Sequence, residues 1–137
     1  MTTATRSQTQ PLRTPEDVVA LRKLVRDAAV SVGMSLVEQT KVVTAASELG
    51  RNTIIHGGGG SGRVEVVTNG SRKGVRMYFE DTGPGIADLA LALRDGFTSG
   101  GGLGLGLPGS KRLLSEFEID TAPGQGTRIT GVRWSGG

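Results

Sequence analysis

The 137-residue sequence contains no cysteine and only one histidine. The absence of cysteine excludes a disulfide framework and a thiolate metal site, and one histidine is too little for a protein-only zinc site. Aromatic residues are also few, at 4% of the chain, and the basic residues are scattered along it. Despite the net charge of +3, we therefore do not expect a nucleic-acid surface, which would need a basic face with aromatic stacking platforms.

Long apolar runs are missing as well. No stretch approaches the roughly 18 apolar residues of a membrane span, and no apolar secretion-signal segment follows Met1. We expect a cytoplasmic protein without a membrane-bound part. The length is that of one domain: residues 1–10, rich in Thr, Ser and Gln without periodicity, predict a flexible tail, and residues 11–137 predict a single domain.

Glycine, by contrast, is abundant, with 23 residues, and it is densest at residues 95–110, which read Asp-Gly-Phe-Thr-Ser-Gly-Gly-Gly-Leu-Gly-Leu-Gly-Leu-Pro-Gly-Ser. Such a stretch has few Cβ atoms to keep a ligand away from the backbone. Pro108 favours the first turn of a helix, whose pattern continues through Leu113 and Phe117. A glycine loop that leads into a helix is typical of phosphate binding. The alternative is an ordinary surface loop.

Two common phosphate loops are excluded. Residues 104–109 fit the pattern GxGxxG, but more glycine precedes them instead of the strand that a dinucleotide-binding fingerprint requires. The chain has no Gly-Lys-Ser/Thr sequence, so it has no Walker A loop, and it has no His-Arg-Asp sequence of eukaryotic-type kinases. The loop therefore indicates phosphate without identifying its kind.

Apolar periodicity predicts two consecutive helices. The first begins after the N-cap Thr14 and ends before Gly33. Its apolar stripe at helical spacing comprises Val18, Leu21, Val25, Ala28 and Val32. A capping box from Ser35 to Glu38 begins the second. The expected core face of the second helix comprises Leu36, Val43, Ser47, Gly50 and Ile54. The residues expected on roughly the opposite side are Lys41, Ala45, Glu48, Asn52 and His56.

Alternating apolar residues predict two hairpins. One turns at Asn69-Gly70, and the other joins Glu116–Thr121 to Thr127–Trp134 through a Pro-Gly-Gln-Gly turn. A short edge strand is expected at residues 10–13, and a short apolar helix at residues 86–94. Together these elements predict an α/β (α+β) sandwich, with helices covering one face of a mixed, mostly antiparallel sheet.

Three motifs follow one another along the chain: Glu48-x-x-x-Asn52, Asp81-x-Gly83-x-Gly85 and Gly102-x-Gly104-x-Gly106. In this order, with the pair Gly126-Thr127 in the late hairpin, they resemble the N, G1 and G2 boxes of the GHKL ATPase superfamily, which has the Bergerat fold. The resemblance covers residues 10–134. Residues 44–52 and 101–119 are similar in more detail to the small serine/threonine switch kinases of the RsbT type, which belong to bacterial partner-switching systems and to the stressosome.

The resemblance implies a site for ATP and Mg²⁺. Asn52 would be the Mg²⁺ ligand, and Glu48 would orient or deprotonate the serine hydroxyl that attacks the γ-phosphate. Asp81 would accept a hydrogen bond from the adenine 6-amino group, and Thr127 would support that end of the base. The glycines that would let the backbone approach the base or close over the phosphates are Gly83, Gly85, Gly102, Gly104 and Gly106.

The same resemblance implies a protein serine/threonine kinase that phosphorylates a STAS-domain antagonist protein and, once released, activates a PP2C-type phosphatase. The alternative is an anti-sigma factor, which binds a sigma factor and has the same kinase activity toward an anti-anti-sigma factor. A nucleotide-dependent binding module without turnover is a third possibility, against which the intact Glu48 argues. One departure is Gly50, where alanine is usual in the family; glycine costs the helix roughly 0.8–1 kcal/mol relative to alanine.

Overall fold

The protein is an α+β domain in which one five-stranded sheet packs against helices. Its structure, a computed structural model, describes residues 1–86 and 106–136. The described elements are β1 (Thr3–Leu12), α1 (Pro15–Ser31), α2 (Leu36–Ile55), β2 (Gly60–Asn69), β3 (Arg72–Asp81), α3 (Leu107–Arg112), β4 (Glu116–Thr121) and β5 (Thr127–Trp134). The strand order is β1-β2-β3-β5-β4, and each of these neighbouring pairs is antiparallel. The predicted fold class and both predicted hairpins are confirmed.

Helix α1 begins and ends where its sequence signals predict. The Asp17 carboxylate accepts hydrogen bonds from the backbone N–H groups of Arg13 and Thr14, at 2.9 and 3.1 Å, which satisfies donors that the first turn leaves unpaired. Gly33 follows the helix with a φ of +79°, a value that glycine adopts without strain. The predicted apolar stripe is buried; it comprises Val18, Leu21, Val25, Ala28 and Val32.

Helix α2 begins at the predicted capping box, because Ser35 and Glu38 each accept a hydrogen bond from the backbone of the other. The predicted core face, however, was partly wrong. Leu36 is 70% exposed, whereas Ala45, expected on the opposite side, is fully buried. The projection assumed one buried face, but α2 packs both against α1 and against the sheet, so its buried surface is wider and rotated. The buried residues are Val42, Val43, Ala45, Ala46, Leu49, Gly50 and Thr53.

Gly50 is explained by the contact between the two long helices. A Cβ atom at this position would lie 3.0 Å from Cδ2 of Leu21 on α1 and 3.9 Å from the ring of Phe79 on β3. Leu21 is itself fully buried, so it has little room to move away. The glycine therefore permits a close approach of α1 to α2. The closer packing of the two helices accounts for a residue that is otherwise unfavourable in a helix.

The N-terminal segment differs from the prediction. Residues 1–10 were expected to form a flexible tail, but β1 extends from Thr3 to Leu12 and pairs with β2, with an irregularity between Ala4 and Arg6. Because β1 lies at the edge of the sheet, most of its side chains are exposed and provide no apolar periodicity. Pro11 lies near the end of this edge strand, where its missing N–H is tolerated.

Helix α3 is shorter than predicted. The proline-started helix is confirmed at Pro108, but it ends at Arg112, and Phe117 belongs to β4 instead. Phe117 and Ile119 alternate along that strand and pack partly buried against the core, so their i, i+2 spacing outweighs the helical spacing of Phe117 to Leu113. The helix expected at residues 86–94 lies outside the described residues, apart from Ile86.

The main core lies between the helices and one face of the sheet. Its largest fully buried side chains include Phe79, Met77, Leu21 and Leu49. A smaller cluster of Val67, Val132 and Trp134 lies on the opposite face. No helix within residues 1–86 or 106–136 has the length and apolar character needed to cross a membrane.

Candidate functional site

The first part of the site is the C-terminal half of α2. Glu48 and Asn52 lie on this helix at i and i+4, so their side chains project from the same side, one turn apart. His56 caps the C-terminal end of the helix, and its backbone N–H donates to the carbonyl oxygen of Asn52 at 2.9 Å. Gly57 follows and directs the chain towards the end of β3.

Asp81 ends β3 and faces the end of α2. It is 8% exposed, and its Oδ1 accepts a hydrogen bond from the backbone N–H of Gly83 at 2.9 Å. A Cβ atom at Gly57 would overlap the Asp81 carboxylate, and one at Gly83 would lie 2.7 Å from the carbonyl oxygen of Gly57. The absence of side chains at both glycines therefore brings the end of α2 into contact with the carboxylate.

The β4–β5 hairpin holds the turn at residues 81–86 from the other side. The carbonyl oxygen of Pro84 accepts from the N–H of Gly124 at 2.6 Å. Gly85, with a φ of +75°, lies so close to the carbonyl oxygen of Ala122 that a Cβ atom would overlap it. The turn is thus fixed by residues that follow much later in the chain.

Two threonines of the same hairpin lie beside this turn. Thr127 is the register partner of Asp81 on β3 and of Thr121 on β4. The hydroxyl oxygen of Thr121 accepts from the N–H of Ile86 at 3.0 Å and lies 2.9 Å from the carbonyl oxygen of Gly126. The hydroxyl oxygens of Thr121 and Thr127 are 3.0 Å apart.

Several of these residues line one cavity. Its apolar walls include Leu49, Phe79 and Ile129. The polar side chains of its lining belong to Asn52, Thr53, His56, Asp81 and Thr127. The cavity has a volume of about 40 Å³, several times the roughly 10–15 Å³ that one ordered water molecule requires on the same measure.

Glu48 does not line this cavity and lies one turn away from it, beside the start of α3. Its side chain is 39% exposed, and its Oε1 is 3.6 Å from Nη1 of Arg51, an exposed pair of small energetic worth. Gly106, the N-cap of α3, has a φ of +64°, and a Cβ atom there would lie 2.8 Å from Oε2 of Glu48. The last glycine of the third motif thus lies directly against the glutamate of the first.

The structure therefore brings together most of the predicted site residues. Asn52, Asp81, Gly85 and Thr127 share the cavity lining, while Gly83 contacts the end of α2. The remaining predicted glycines, Gly102 and Gly104, lie outside the described residues.

Sequence reasoning missed two residues of the site, Gly57 and Thr121. Gly57 is one of four consecutive glycines, and nothing in the sequence distinguishes the one that contacts Asp81. Thr121 did leave a signal, because it continues the alternation of Phe117 and Ile119. That alternation places a hydroxyl on the face of β4 that packs towards the helices.

The profile of the family described as "Histidine kinase-, DNA gyrase B-, and HSP90-like ATPase" matches residues 37–134. The chain belongs to this family. The match includes Glu48 and Asn52 on α2, the turn after β3 and the β4–β5 hairpin. The superfamily resemblance expected from the three motifs is therefore confirmed.

Within this ATPase family, the chain is 42% identical over 123 residues to "Serine/threonine-protein kinase RsbT" of Bacillus subtilis (strain 168). The aligned residues cover 90% of this chain and 92% of that relative. It is 34% identical over 97 residues to "Anti-sigma F factor" of Clostridium novyi (strain NT), covering 67% of this chain and 68% of the relative. A chain in the crystal structure of the SiaB–SiaC complex from Pseudomonas aeruginosa superposes with a TM-score of 0.56 at 15% identity, covering 96% of this chain and 90% of that one. At that identity the likeness shows the fold alone.

Proposed function

We propose that the protein is an ATP-dependent serine/threonine protein kinase of a bacterial partner-switching system. The observation that carries the proposal is the 42% identity to a serine/threonine kinase over 90% of the chain. A match of that extent necessarily spans Glu48, Asn52 and Asp81. The close approach of Gly106 to Glu48 supports it further, because it joins the glycine loop to the acidic residue proposed as the base.

The adenine base would bind at the cavity between α2 and the sheet. Asp81 would accept a hydrogen bond from the 6-amino group of the base, and Thr127 would support that end of the base. Gly83 and Gly85 would let the backbone approach it. The apolar walls of the cavity suit the faces of a purine ring. ATP, when bound, would supply the phosphoryl group that is transferred.

Glu48 would orient or deprotonate the substrate hydroxyl. Its position next to Gly106 supports this role, since the loop that ends at Gly106 would cover the phosphates with the help of Gly102 and Gly104. Its partial exposure leaves the carboxylate accessible to a hydroxyl that a partner protein presents.

Mg²⁺ would bind mainly through ATP. Within the described residues, no group of three His, Cys, Asp or Glu side chains could hold a metal ion. Mg²⁺ is commonly held in such sites by one or two protein oxygens together with substrate phosphates. Asn52, one turn after Glu48 on the same side of α2, fits the role of the protein ligand.

The substrate would be a STAS-domain antagonist protein, and release from it would free the kinase to activate a PP2C-type phosphatase. The second candidate is an anti-sigma factor that binds a sigma factor, and the 34% identity to an anti-sigma F factor favours it as the alternative. Both candidates use the same site residues and differ in their partner. Affinity capture from a lysate of the source cells, followed by mass identification of the bound protein, distinguishes a phosphatase from a sigma factor.

Phosphoryl transfer to a serine of the captured STAS-domain protein tests the kinase directly. We expect Glu48→Ala to retain ATP binding but to lose transfer by about 10²–10⁴-fold, the usual contribution of a positioned base. The measurement is transfer of label from γ-labelled ATP, alongside ATP affinity. Glu118→Ala, on an exposed position of β4, is the matched control and should remain active. Near-normal transfer by Glu48→Ala would remove this residue from its proposed role.

A further inference from the structure

A groove between the two long helices lies apart from the cavity at the end of β3. Residues of α1 and of α2 line this α1–α2 groove, which has a volume of about 310 Å³. Its apolar lining includes two side chains that the core does not bury, Val19 at 62% exposed and Ile55 at 65%. Apolar side chains grouped in an exposed groove are typical of a surface that binds a partner.

The charged side chains of the groove are all basic. Arg22 of α1 and Arg51 of α2 line it, and a second groove of about 250 Å³ shares Val19 and Arg22 and continues along α1 to Lys23 and Arg26. Within residues 1–86 and 106–136, no acidic side chain lines either groove. Over the same residues, no carboxylate forms an ion pair with Arg22, Lys23 or Arg26. Cations without carboxylate partners beside apolar side chains complement a segment that carries acidic and apolar residues.

Arg51 connects the α1–α2 groove to the proposed catalytic residue. Its Nη1 is 3.6 Å from Oε1 of Glu48, and the same side chain lines the groove. Because successive helical residues are about 100° apart around the axis, Arg51 projects between Glu48 and Ile54, which also lines the groove. A segment bound in the groove would therefore lie one side chain away from Glu48.

We propose that the α1–α2 groove docks the protein substrate of the kinase and takes from it a segment with acidic residues around an apolar anchor. The inference rests on the proposed function, because it requires a protein substrate whose hydroxyl reaches Glu48. Binding in a groove next to Glu48 would hold that hydroxyl near the reacting atoms. The concave shape of the groove and its position beside Glu48 favour a protein segment over a flat membrane surface.

Charge reversal in the groove tests the electrostatic part of the proposal. Arg22→Glu should raise the KM for the captured STAS-domain protein by about tenfold or more, because acidic groups of the docked segment would meet a like charge. ATP affinity and kcat should not change, since Arg22 contacts neither the cavity nor Glu48. Lys73→Glu, at an exposed position at the start of β3, makes the same change in net charge and should keep the wild-type KM. Initial rates of label transfer over a range of substrate concentrations separate KM from kcat.

A second pair of variants tests the apolar anchor. Val19→Ser removes an exposed apolar side chain from the groove and should raise the same KM by about fivefold. Val30→Ser is the matched control, because Val30 is 57% exposed on the same helix but lines neither groove. It should leave the KM unchanged. Substitutions at exposed positions such as these are tolerated by the fold, and wild-type affinity for ATP verifies that each variant is folded.

The outcomes distinguish failure of the docking site from failure of the proposed function. An unchanged KM in both Arg22→Glu and Val19→Ser, or an equal rise in their controls, would overturn the docking site and leave the kinase intact. If Arg22→Glu instead abolishes self-association seen by light scattering, or binding to vesicles that contain phosphatidylserine, with KM unchanged, the groove binds a second copy or a membrane and the proposal is wrong. If the wild type transfers no label to the STAS-domain protein, the proposed function itself fails.

Discussion

Asp81 is held in one orientation by a single backbone group. The N–H of Gly83 donates to its Oδ1 at 2.9 Å, and Gly57 packs against the carboxylate. An asparagine at this position would keep its amide oxygen on the Gly83 N–H. Its amide nitrogen would then replace Oδ2, and the site would present a donor where it now presents an acceptor.

We therefore expect Asp81→Asn to lose ATP affinity and to discriminate less against GTP, which has a keto oxygen at C6. In the wild type, ATP should be preferred by at least roughly 10–100-fold, since an unpaired buried polar group costs about 1–3 kcal/mol. Competition titrations with both nucleotides measure the change, and Asp120→Asn, at an exposed position on β4, is the control. Equal wild-type affinities for ATP and GTP would contradict the role assigned to Asp81.

Ser110 in α3 carries a buried hydroxyl. It is 1% exposed, and within residues 1–86 and 106–136 its Oγ has no hydrogen-bond partner. Because such a group costs free energy when it is buried unpaired, we expect Ser110→Ala to raise the free energy of unfolding by about 1 kcal/mol. Urea denaturation measures this difference.

The matched control for that substitution is Ser115→Ala. The Ser115 hydroxyl accepts a hydrogen bond from the backbone N–H of Trp134 at 3.1 Å, so its removal should give no gain in stability. A Ser110→Ala protein less stable than the wild type would show that this hydroxyl has a partner, such as a buried water molecule.

At the scale of elements, the parts of the fold that could be predicted are those with a local cause. The capping box of Ser35 and Glu38 and the turn at Asn69-Gly70 act within a few residues, so their consequences are visible in the sequence. The extent of β1 could not be predicted in the same way, because an exposed edge strand buries too little apolar surface to show periodicity. The buried face of α2 depends on two neighbouring elements, which a projection of one helix does not contain.

The residues of the candidate site also fall into those that the sequence could predict and those that depend on distant contacts. Asn52, Asp81 and Thr127 could be proposed in advance because they belong to motifs whose order along the chain is informative. Gly57 and Thr121 act through contacts between segments that are distant in sequence. Those contacts arise only when the end of α2, the turn after β3 and the β4–β5 hairpin converge.

The junction between α2 and the turn after β3 can be tested at Gly57. This residue does not have a positive φ, so alanine there is unfavourable only because its Cβ atom would overlap the Asp81 carboxylate. We expect Gly57→Ala to displace that carboxylate and to weaken ATP binding by about tenfold or more, the worth of one good hydrogen bond. Calorimetric titration with ATP measures the loss.

Gly109→Ala is the control for that experiment. Gly109 lies in α3, and a Cβ atom there would meet no atom of the described part of the chain within 4 Å. Alanine should therefore leave ATP affinity unchanged and raise stability by about 0.5–1 kcal/mol, because glycine is a poor helix former. Equal ATP affinity in both glycine variants would show that the contact of Gly57 with Asp81 is not needed for binding.

At the scale of the whole molecule, the acidic residues that begin the two long helices also connect separate parts of the chain. Asp17 of α1 accepts from the backbone that leaves β1. Glu38 of α2 accepts from Ser35 at its own helix start and from the N–H of Gly136, 98 residues away, at 2.8 Å. Glu38 therefore joins the start of α2 to the segment that follows β5.

These contacts make stability depend on pH in the acid range. The N–H of Arg13 and then that of Thr14 lower the pKa of Asp17, and the N–H of Ser35, followed by that of Gly136, lowers the pKa of Glu38. Since each pKa is lower in the folded protein than in the unfolded chain, the unfolded chain binds more protons between the two values. The stabilisation is complete above the unfolded pKa values, about 4, and is lost as the pH falls through the folded ones.

We therefore expect the thermal midpoint of the wild type to fall as the pH is lowered from about 5 to about 3, and the double variant Asp17→Asn, Glu38→Gln to lose less over the same interval. Asparagine at position 17 keeps one oxygen that can accept from both Arg13 and Thr14, as Oδ2 of Asp17 does. Glutamine at position 38 has one oxygen where Glu38 uses two, so it keeps the contact with Ser35 or the contact with Gly136. Neither amide can be protonated in this range. Because all other carboxyl groups are common to the two proteins, the difference between their losses of thermal midpoint in acid measures the contribution of Asp17 and Glu38. Thermal unfolding followed by circular dichroism at several pH values from neutral down to about 3 provides the measurement. If the thermal midpoints of the two proteins fall by the same amount between about pH 5 and pH 3, the two helix starts contribute nothing to the acid sensitivity of the fold.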